Sequence, residues 1–379
     1  MRLAIDATPI LPGGKGLAIV FESLLDCLSR SRVLKPTAVY VDESFFDEAR
    51  RRWSGMSLKP VRSRPALVWE KVFLSRHLRK DGIDLLLTGR DRTVCEPMCK
   101  TVVYLFEVPD YRNEATLSSK DGWYAKAAAL LTRFFFTSVV RGVTHFIVSS
   151  EFTKQDLVAR YGVSAEKITV VYPGLRPQFC SLESFGSRAE ARRHFADGQP
   201  YVLHFATGDP RDNTSTAIEA FARALPNLNH DVVLLLVGTG AKAVIEKDVT
   251  RYGLGDRVRH TGFLSVEDLV LSYLGAEAYL DPTLYEGFGL QLLEAMACGV
   301  PVLSSRVTSV PEVVGDAGML FDPHDVDGFA SGLVRVVNEP DLRKFMISGG
   351  LERAKQFTWE RTIPQLVSTF ENIARQDGT

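Results

Sequence analysis

A chain of 379 residues, 45% hydrophobic and 24% charged, exceeds one ordinary core and fits two domains of similar size. Its formal net charge of −1 lacks the basic excess of a nucleic-acid binder, and no zinc-knuckle or aromatic RNA-platform motif occurs. Five scattered cysteines, Cys27, Cys95, Cys99, Cys180 and Cys298, form neither a paired framework nor a zinc set, which predicts reduced thiols in the cytoplasm.

Asp6 interrupts the opening "MRLAIDATPILPGG", so no signal region is expected there, and no uncharged apolar run reaches the ~20 residues that span a bilayer. Strand-like runs then follow at 2–6, 37–42, 84–89, 101–108, 144–150 and 168–173, with helical segments between most of them. A second series comes at 201–207, 232–238, 258–262, 278–282, 300–305 and 318–323. Continuous Val/Leu/Ile runs between helices indicate strands buried on both faces of a parallel sheet. The pattern predicts an α/β protein of two doubly wound domains. The stretch 172–200, with Pro173, Gly174, Pro177 and a polar middle, holds the predicted hinge near Pro173–Gly174. The expected division is 1–174, 175–357 and a terminal helix over 358–379, which interior Pro364 is expected to kink or break.

Ligands of doubly wound sheets sit beyond the carboxyl ends of the strands. One such loop reads "AYLDPTLYEGFGLQLLEAMACG", residues 278–299. Gly287 and Gly289 permit close backbone approach. The amides of Phe288, Gly289 and Leu290 open a helix, where donors are unpaired and the dipole is positive. That makes a phosphate cradle needing no metal. Glu286 precedes the glycines and Glu294 lies two turns into the helix. Carboxylates accept hydrogen bonds only, so they suit vicinal hydroxyls. A diphosphate flanked by two diols describes a nucleoside-diphosphate sugar.

This stretch resembles the E-x7-E signature of the retaining glycosyltransferases of family 4, with Glu286 and Glu294 as its acids. Segments 149–175, 237–240, 258–283 and 308–330 are similar to the same family. The resemblance implies the GT-B architecture: two Rossmann-like domains facing a cleft, acceptor bound by the first and nucleotide sugar by the second. The terminal helix would cross back to the N-terminal domain. It implies that Glu294 holds the nucleotide ribose and Glu286 the transferred sugar. Phe288, Gly289 and Leu290 would take the distal phosphate through their amides. Gly13, Gly14, Lys15 and Gly16 resemble the family's glycine-rich loop and would reach the diphosphate from the opposite wall. Gly262 and Phe263 are candidates for base recognition.

Two departures stand out. Thr207 and Asp212 occupy positions where many members carry Arg and Lys, which leaves Arg211 as the cation for the diphosphate, with Lys242 in reserve. In the first domain, Phe106 stands where members often have His, and Glu107 or Asp110 would bind hydroxyls instead.

The resemblance further implies front-face transfer with retention, without cofactor. No Asp-x-Asp motif sits at a strand end, so no metal is expected. The acceptor is expected to be a saccharide or lipid-linked saccharide in surface polysaccharide or glycolipid synthesis, and nucleic acid is not an expected partner. Residues 50–80 hold ten Lys/Arg against one acid, Glu70, with Trp53, Trp69 and Phe73 interleaved. With the apolar stretch 123–142, they suggest peripheral contact with an anionic membrane, the alternative being solvated helix faces. Alternatives to the transferase are another GT-B enzyme, such as a nucleotide-sugar epimerase or a phosphorylase, and a nucleotide-sugar-binding partner without turnover.

Overall fold

The structure is a computed structural model that describes residues 1–11, 16–31, 33–89, 98–109, 134, 136–240 and 242–375. By its internal contacts the chain divides into two units. Unit 1 comprises Met1–Gly174 and Phe357–Thr379, and unit 2 comprises Leu175–Gln356.

Among the described residues, unit 1 has seven strands: β1 (Leu3–Asp6), β2 (Ala38–Asp42), β3 (Leu58–Val61), β4 (Leu85–Thr88), β5 (Lys100–Leu105), β6 (His145–Val148) and β7 (Ile168–Val170). They form one parallel sheet in the order β3-β2-β1-β4-β5-β6-β7. Every residue of β1, β2 and β4 is buried, as apolar strands covered on both faces must be. β3 was not among the strand-like runs of the sequence. It is an edge strand with an exposed Pro60, inside the basic belt, so it lacks the apolar run that marks the central strands.

Unit 2 repeats the plan with β8 (Tyr201–Phe205), β9 (Val233–Val237), β10 (Val258–Gly262), β11 (Ala276–Asp281), β12 (Val302–Ser305) and β13 (Met319–Phe321). The sheet is parallel, ordered β10-β9-β8-β11-β12-β13, with its topological switch between β8 and β11. Helices Thr214–Ala224 and Val326–Asn338 pack on one another and cover one face with Ile218, Phe221, Phe329 and Leu333. Asp325 starts the second of these by accepting the Gly328 amide at 2.8 Å.

The terminal helix Trp359–Arg375 belongs to unit 1. Thr362 Oγ1 donates to Tyr172 O at 2.8 Å, and Lys100 Nζ donates to Ile373 O at 2.5 Å. Gly174 admits the helix start, because a Cβ there would lie 2.5 Å from the Trp359 nitrogen. Of the kink or break expected at Pro364, the break does not occur: the helix runs continuously over Trp359–Arg375. Pro364 sits on the exposed side of the helix, and its missing N–H leaves one helical hydrogen bond unmade.

Candidate active site

Parallel strands put every strand-end loop of unit 2 at one edge of the sheet, and hydrogen bonds join these loops. After β8 and β9, Ala206 N donates to Val237 O and Gly240 N to Ala206 O, both at 2.8 Å. Gly238 N donates to Gly262 O at 2.9 Å, adding the loop after β10. The loop after β11 lies between those after β8 and β12. Leu284 N donates to Arg211 O at 2.9 Å, Glu286 N donates to Thr308 Oγ1 at 3.0 Å, and Ser309 Oγ donates to Glu286 O at 2.8 Å. Thr308 has φ +49°, a left-handed conformation that strains a β-branched residue. The Glu286 amide is thus anchored on a residue held in an uncommon geometry.

The same loop leads into the helix Leu290–Ala297. Gly289 is its N-cap at φ 92°, ψ 56°; no side chain caps this end and its first turn holds no acid. Such an end presents main-chain donors and a positive dipole. Phe288 and Gly289 are buried, Leu290 and Glu286 half-buried. The helix buries Leu292 through Ala297.

Glu294 is among those buried residues, at 3% exposure. Arg176 Nε donates to its Oε1 at 2.7 Å, and Tyr273 Oη donates to its Oε2 at 3.3 Å. Arg176, itself 8% exposed, escaped the sequence reading. The signal available was a single charged residue in the run "YPGLRPQF", just after the hinge.

Arg211 is engaged by its own loop. Its guanidinium meets both oxygens of Asp209, with Nη2 to Oδ2 at 2.8 Å. Asp212 accepts the Thr207 amide and hydroxyl, each at 2.7 Å, so the two residues at the departing positions satisfy each other. Burial holds the Asp212 carboxyl above the usual range. Burial also pushes Asp281, at the end of β11, up to about 7, against the bond from Ser304 Oγ to Oδ2 at 3.1 Å and with Asp212 adding to the rise. Beneath this edge His204 is wholly buried and held down to about 4, its ring nitrogens on Leu280 O and Thr214 Oγ1.

Lys242 is the exposed first residue of the helix Lys242–Arg251. Gly262 closes β10, and Phe263 is 62% exposed beside it. In unit 1, Gly16 precedes the helix Leu17–Arg30, while Gly13, Gly14 and Lys15 lie outside the described residues, as does Asp110. Phe106 and Glu107 are half-buried just past β5. The Phe106 ring lies 4.8 Å from Tyr104, and its carbonyl accepts Ser149 Oγ and Thr153 Oγ1 at 3.1 Å each. Among the described residues, no group of three or more His, Cys, Asp or Glu is placed to hold a metal ion, and no helix is long and apolar enough to cross a membrane.

Two family profiles match this chain: "Glycosyltransferase Family 4" over residues 41–179 and "Glycosyl transferases group 1" over residues 187–353. The chain belongs to glycosyltransferase family 4. The second match contains the uncapped helix, Glu286 and Glu294. Among curated relatives, the O-antigen chain mannosyltransferase B of Escherichia coli is 30% identical over 59% of this chain and 59% of its own length. The D-inositol 3-phosphate glycosyltransferase of Saccharomonospora viridis is 32% identical over 64% of this chain and 58% of its own. The chain thus spans about three fifths of the length of these relatives. Among solved structures, sucrose-phosphate synthase from Thermosynechococcus elongatus superposes with TM-score 0.77 at 20% identity, over 99% of this chain and 100% of its own. HepE of Anabaena, solved in complex with UDP and glucose, gives TM-score 0.71 at 18% identity, over 98% and 99%. The fold of this family 4 chain is GT-B.

Proposed function

We propose that the protein is a retaining, metal-independent glycosyltransferase that moves a hexose from a nucleoside-diphosphate sugar to a saccharide or lipid-linked saccharide. The observation that carries the reading is the uncapped helix start at Gly289–Leu290, flanked by Glu286 in the loop and Glu294 inside the helix. In this reading, the amides of Phe288, Gly289 and Leu290 receive the distal phosphate, Glu286 orients the sugar hydroxyls, and Glu294 takes the ribose diol. The departing diphosphate accepts the acceptor's proton as the new bond forms on the same face. Charge grows on that diphosphate, so a fixed helix dipole binds it more tightly in the transition state than in the ground state. Arg211 contributes by trading an oxygen of Asp209 for a phosphate oxygen. Gly13, Gly14, Lys15 and Gly16 are assigned to the diphosphate as well, with Lys242 in reserve, and Gly262 and Phe263 to the base. Glu107 meets donor or acceptor hydroxyls, with acceptor binding assigned to unit 1.

A mannosyl donor and a role in surface polysaccharide or glycolipid synthesis are proposed first, because the Escherichia coli relative is named an O-antigen chain mannosyltransferase. Peripheral contact with an anionic leaflet from the cytoplasmic side is part of the proposal, in altered form. Trp53 and Trp69 are buried core residues and supply no anchor. The exposed Val68, Val72 and Phe73 lie beside the exposed Lys71, Arg76, Arg79 and Lys80, which leaves one apolar and basic helical face for the lipid.

A second reading, a nucleotide-sugar-binding partner without turnover, is favoured by Asp212. This acid stands where relatives place a cation and is committed to Thr207. One experiment separates the two. Incubation with GDP-mannose, UDP-glucose and related nucleotide sugars, with and without saccharide acceptors, should release free nucleoside diphosphate. Binding with no release under any acceptor would overturn the transferase reading and support the partner.

A further inference from the structure

Arg176 is the second residue of unit 2, two places beyond Gly174. Its surroundings come from three separated segments. The guanidinium lies over the Phe179 ring at 4.8 Å, and Phe179 meets Tyr273 edge-on at 5.7 Å. The Tyr273 hydroxyl reaches both Glu294 Oε2 at 3.3 Å and Gln291 O at 3.2 Å. Arg176 Nε then closes the circuit on Glu294 Oε1 at 2.7 Å. Both members of the ion pair are buried.

A buried ion pair is a poor device for stability alone. Desolvating two charges cancels most of their attraction, and an apolar pair of the same volume commonly does as well. A fixed orientation is what an apolar pair would not supply. Each carboxylate oxygen here spends one acceptor direction on a protein donor and keeps another. The plane of the carboxylate is set by two donors from two different segments, and its charge is balanced without solvent. A diol that binds the remaining directions meets an acceptor already turned, at small entropic cost.

We propose that Arg176 is a positioning residue for nucleotide recognition: it orients Glu294 so that the carboxylate grips the ribose hydroxyls of the bound nucleoside diphosphate. The inference deepens the ribose assignment of Glu294 made above and rests on it. Arg176 touches no reacting atom. Its effect is confined to how well the protein distinguishes a nucleotide with ribose hydroxyls from one without.

The test is calorimetric. UDP and GDP, and the 2′,3′-dideoxy form of each, are titrated into the full chain carrying Arg176, R176K or R176M. The parent binds a ribonucleotide at least about tenfold more tightly than its dideoxy form, the scale of a hydrogen bond to a charged group. In R176M most of that preference disappears while the dideoxy affinity stays within about twofold. R176K recovers part of the preference, since an ammonium restores charge without the guanidinium's planar fork. Should R176M fail to fold, the R176K comparison with the parent decides, because a loss of ribose preference with unchanged dideoxy affinity is still required of it. Full retention of the preference in the variants overturns the proposal. Equal weakening of both ligand forms overturns it too, in favour of a purely structural ion pair. A parent that treats ribo and dideoxy forms alike removes the Glu294 assignment instead, and a parent that binds neither UDP nor GDP removes the nucleotide reading for those bases.

Discussion

Asp281 gives the most quantitative expectation. It ends β11, one residue before the loop that carries Glu286, and burial raises its carboxyl from 3.8 to about 7. The native state therefore favours the protonated form. An unfolded chain releases this proton near pH 3.8, whereas the folded chain keeps it until about 7. Between these values the unfolded state binds fewer protons, so stability contributed by this site falls as pH rises. The slope is about 1.4 kcal/mol per pH unit, the total on the order of 4 kcal/mol, and the loss levels off above pH 7. Asp281→Asn removes the titration while keeping an oxygen for Ser304 Oγ to bond, so its contribution carries no slope. The measurement is urea unfolding of parent and variant from pH 5 to 8. All four tryptophans, Trp53, Trp69, Trp123 and Trp359, fall within unit 1, so tryptophan fluorescence reports that unit and far-UV circular dichroism adds unit 2. The two probes are read separately, since a chain of two units need not unfold in one step. The expected result is a variant that gains on the parent steadily from pH 5 to 7 in the unit 2 transition, with no change in the tryptophan transition. Parallel pH profiles for the two proteins would refute the reasoning, because they would mean that Asp281 is ionised in the folded chain throughout.

Two other predictions concern the site directly. Glu286→Gln keeps size and hydrogen bonding but removes the charge beside the transferred sugar. Its turnover is expected to drop by about 10²-fold or more, with donor affinity within about threefold of the parent; matched turnover numbers in a coupled nucleoside-diphosphate assay would exclude a role at the sugar. Gly289→Ala places a Cβ at φ 92°, 2.7 Å from the flexible end of Leu292. The conformation costs on the order of 1–2 kcal/mol, visible as a lower urea midpoint. Nucleoside diphosphate affinity should fall about tenfold or more while affinity for the unphosphorylated nucleoside holds, and an unchanged diphosphate Kd would contradict the amide cradle.

Much of the fold was legible because its signal is local. Apolar runs such as "VVLLLVG" and "YVLHFAT" can be satisfied only between two covering layers, so they announce central parallel strands without any partner being known. The spacing of Glu286, Gly287, Gly289 and Glu294 could be read the same way, since strand, loop and helix follow one another in the chain. Features that failed to show were those whose partner is remote or whose signal is mixed. β3 carries Lys59 and Pro60 at a sheet edge. Trp53 and Trp69 sit among arginines in the sequence yet point into the core. Pro364 is tolerated because of the side of the helix on which it lies.

By itself, then, the amino-acid order determined the alternation of strands and helices, the loop that opens on Gly289, and the two acids set eight positions apart. Only tertiary structure decided which charges remain available. It buried Asp281 so that its carboxyl rises to about 7, and brought Arg176 across 118 positions to Glu294. The physical reason is that backbone periodicity is set by neighbours in the chain, whereas the state of a charge depends on burial and on whichever counter-charge the fold places within a few ångströms.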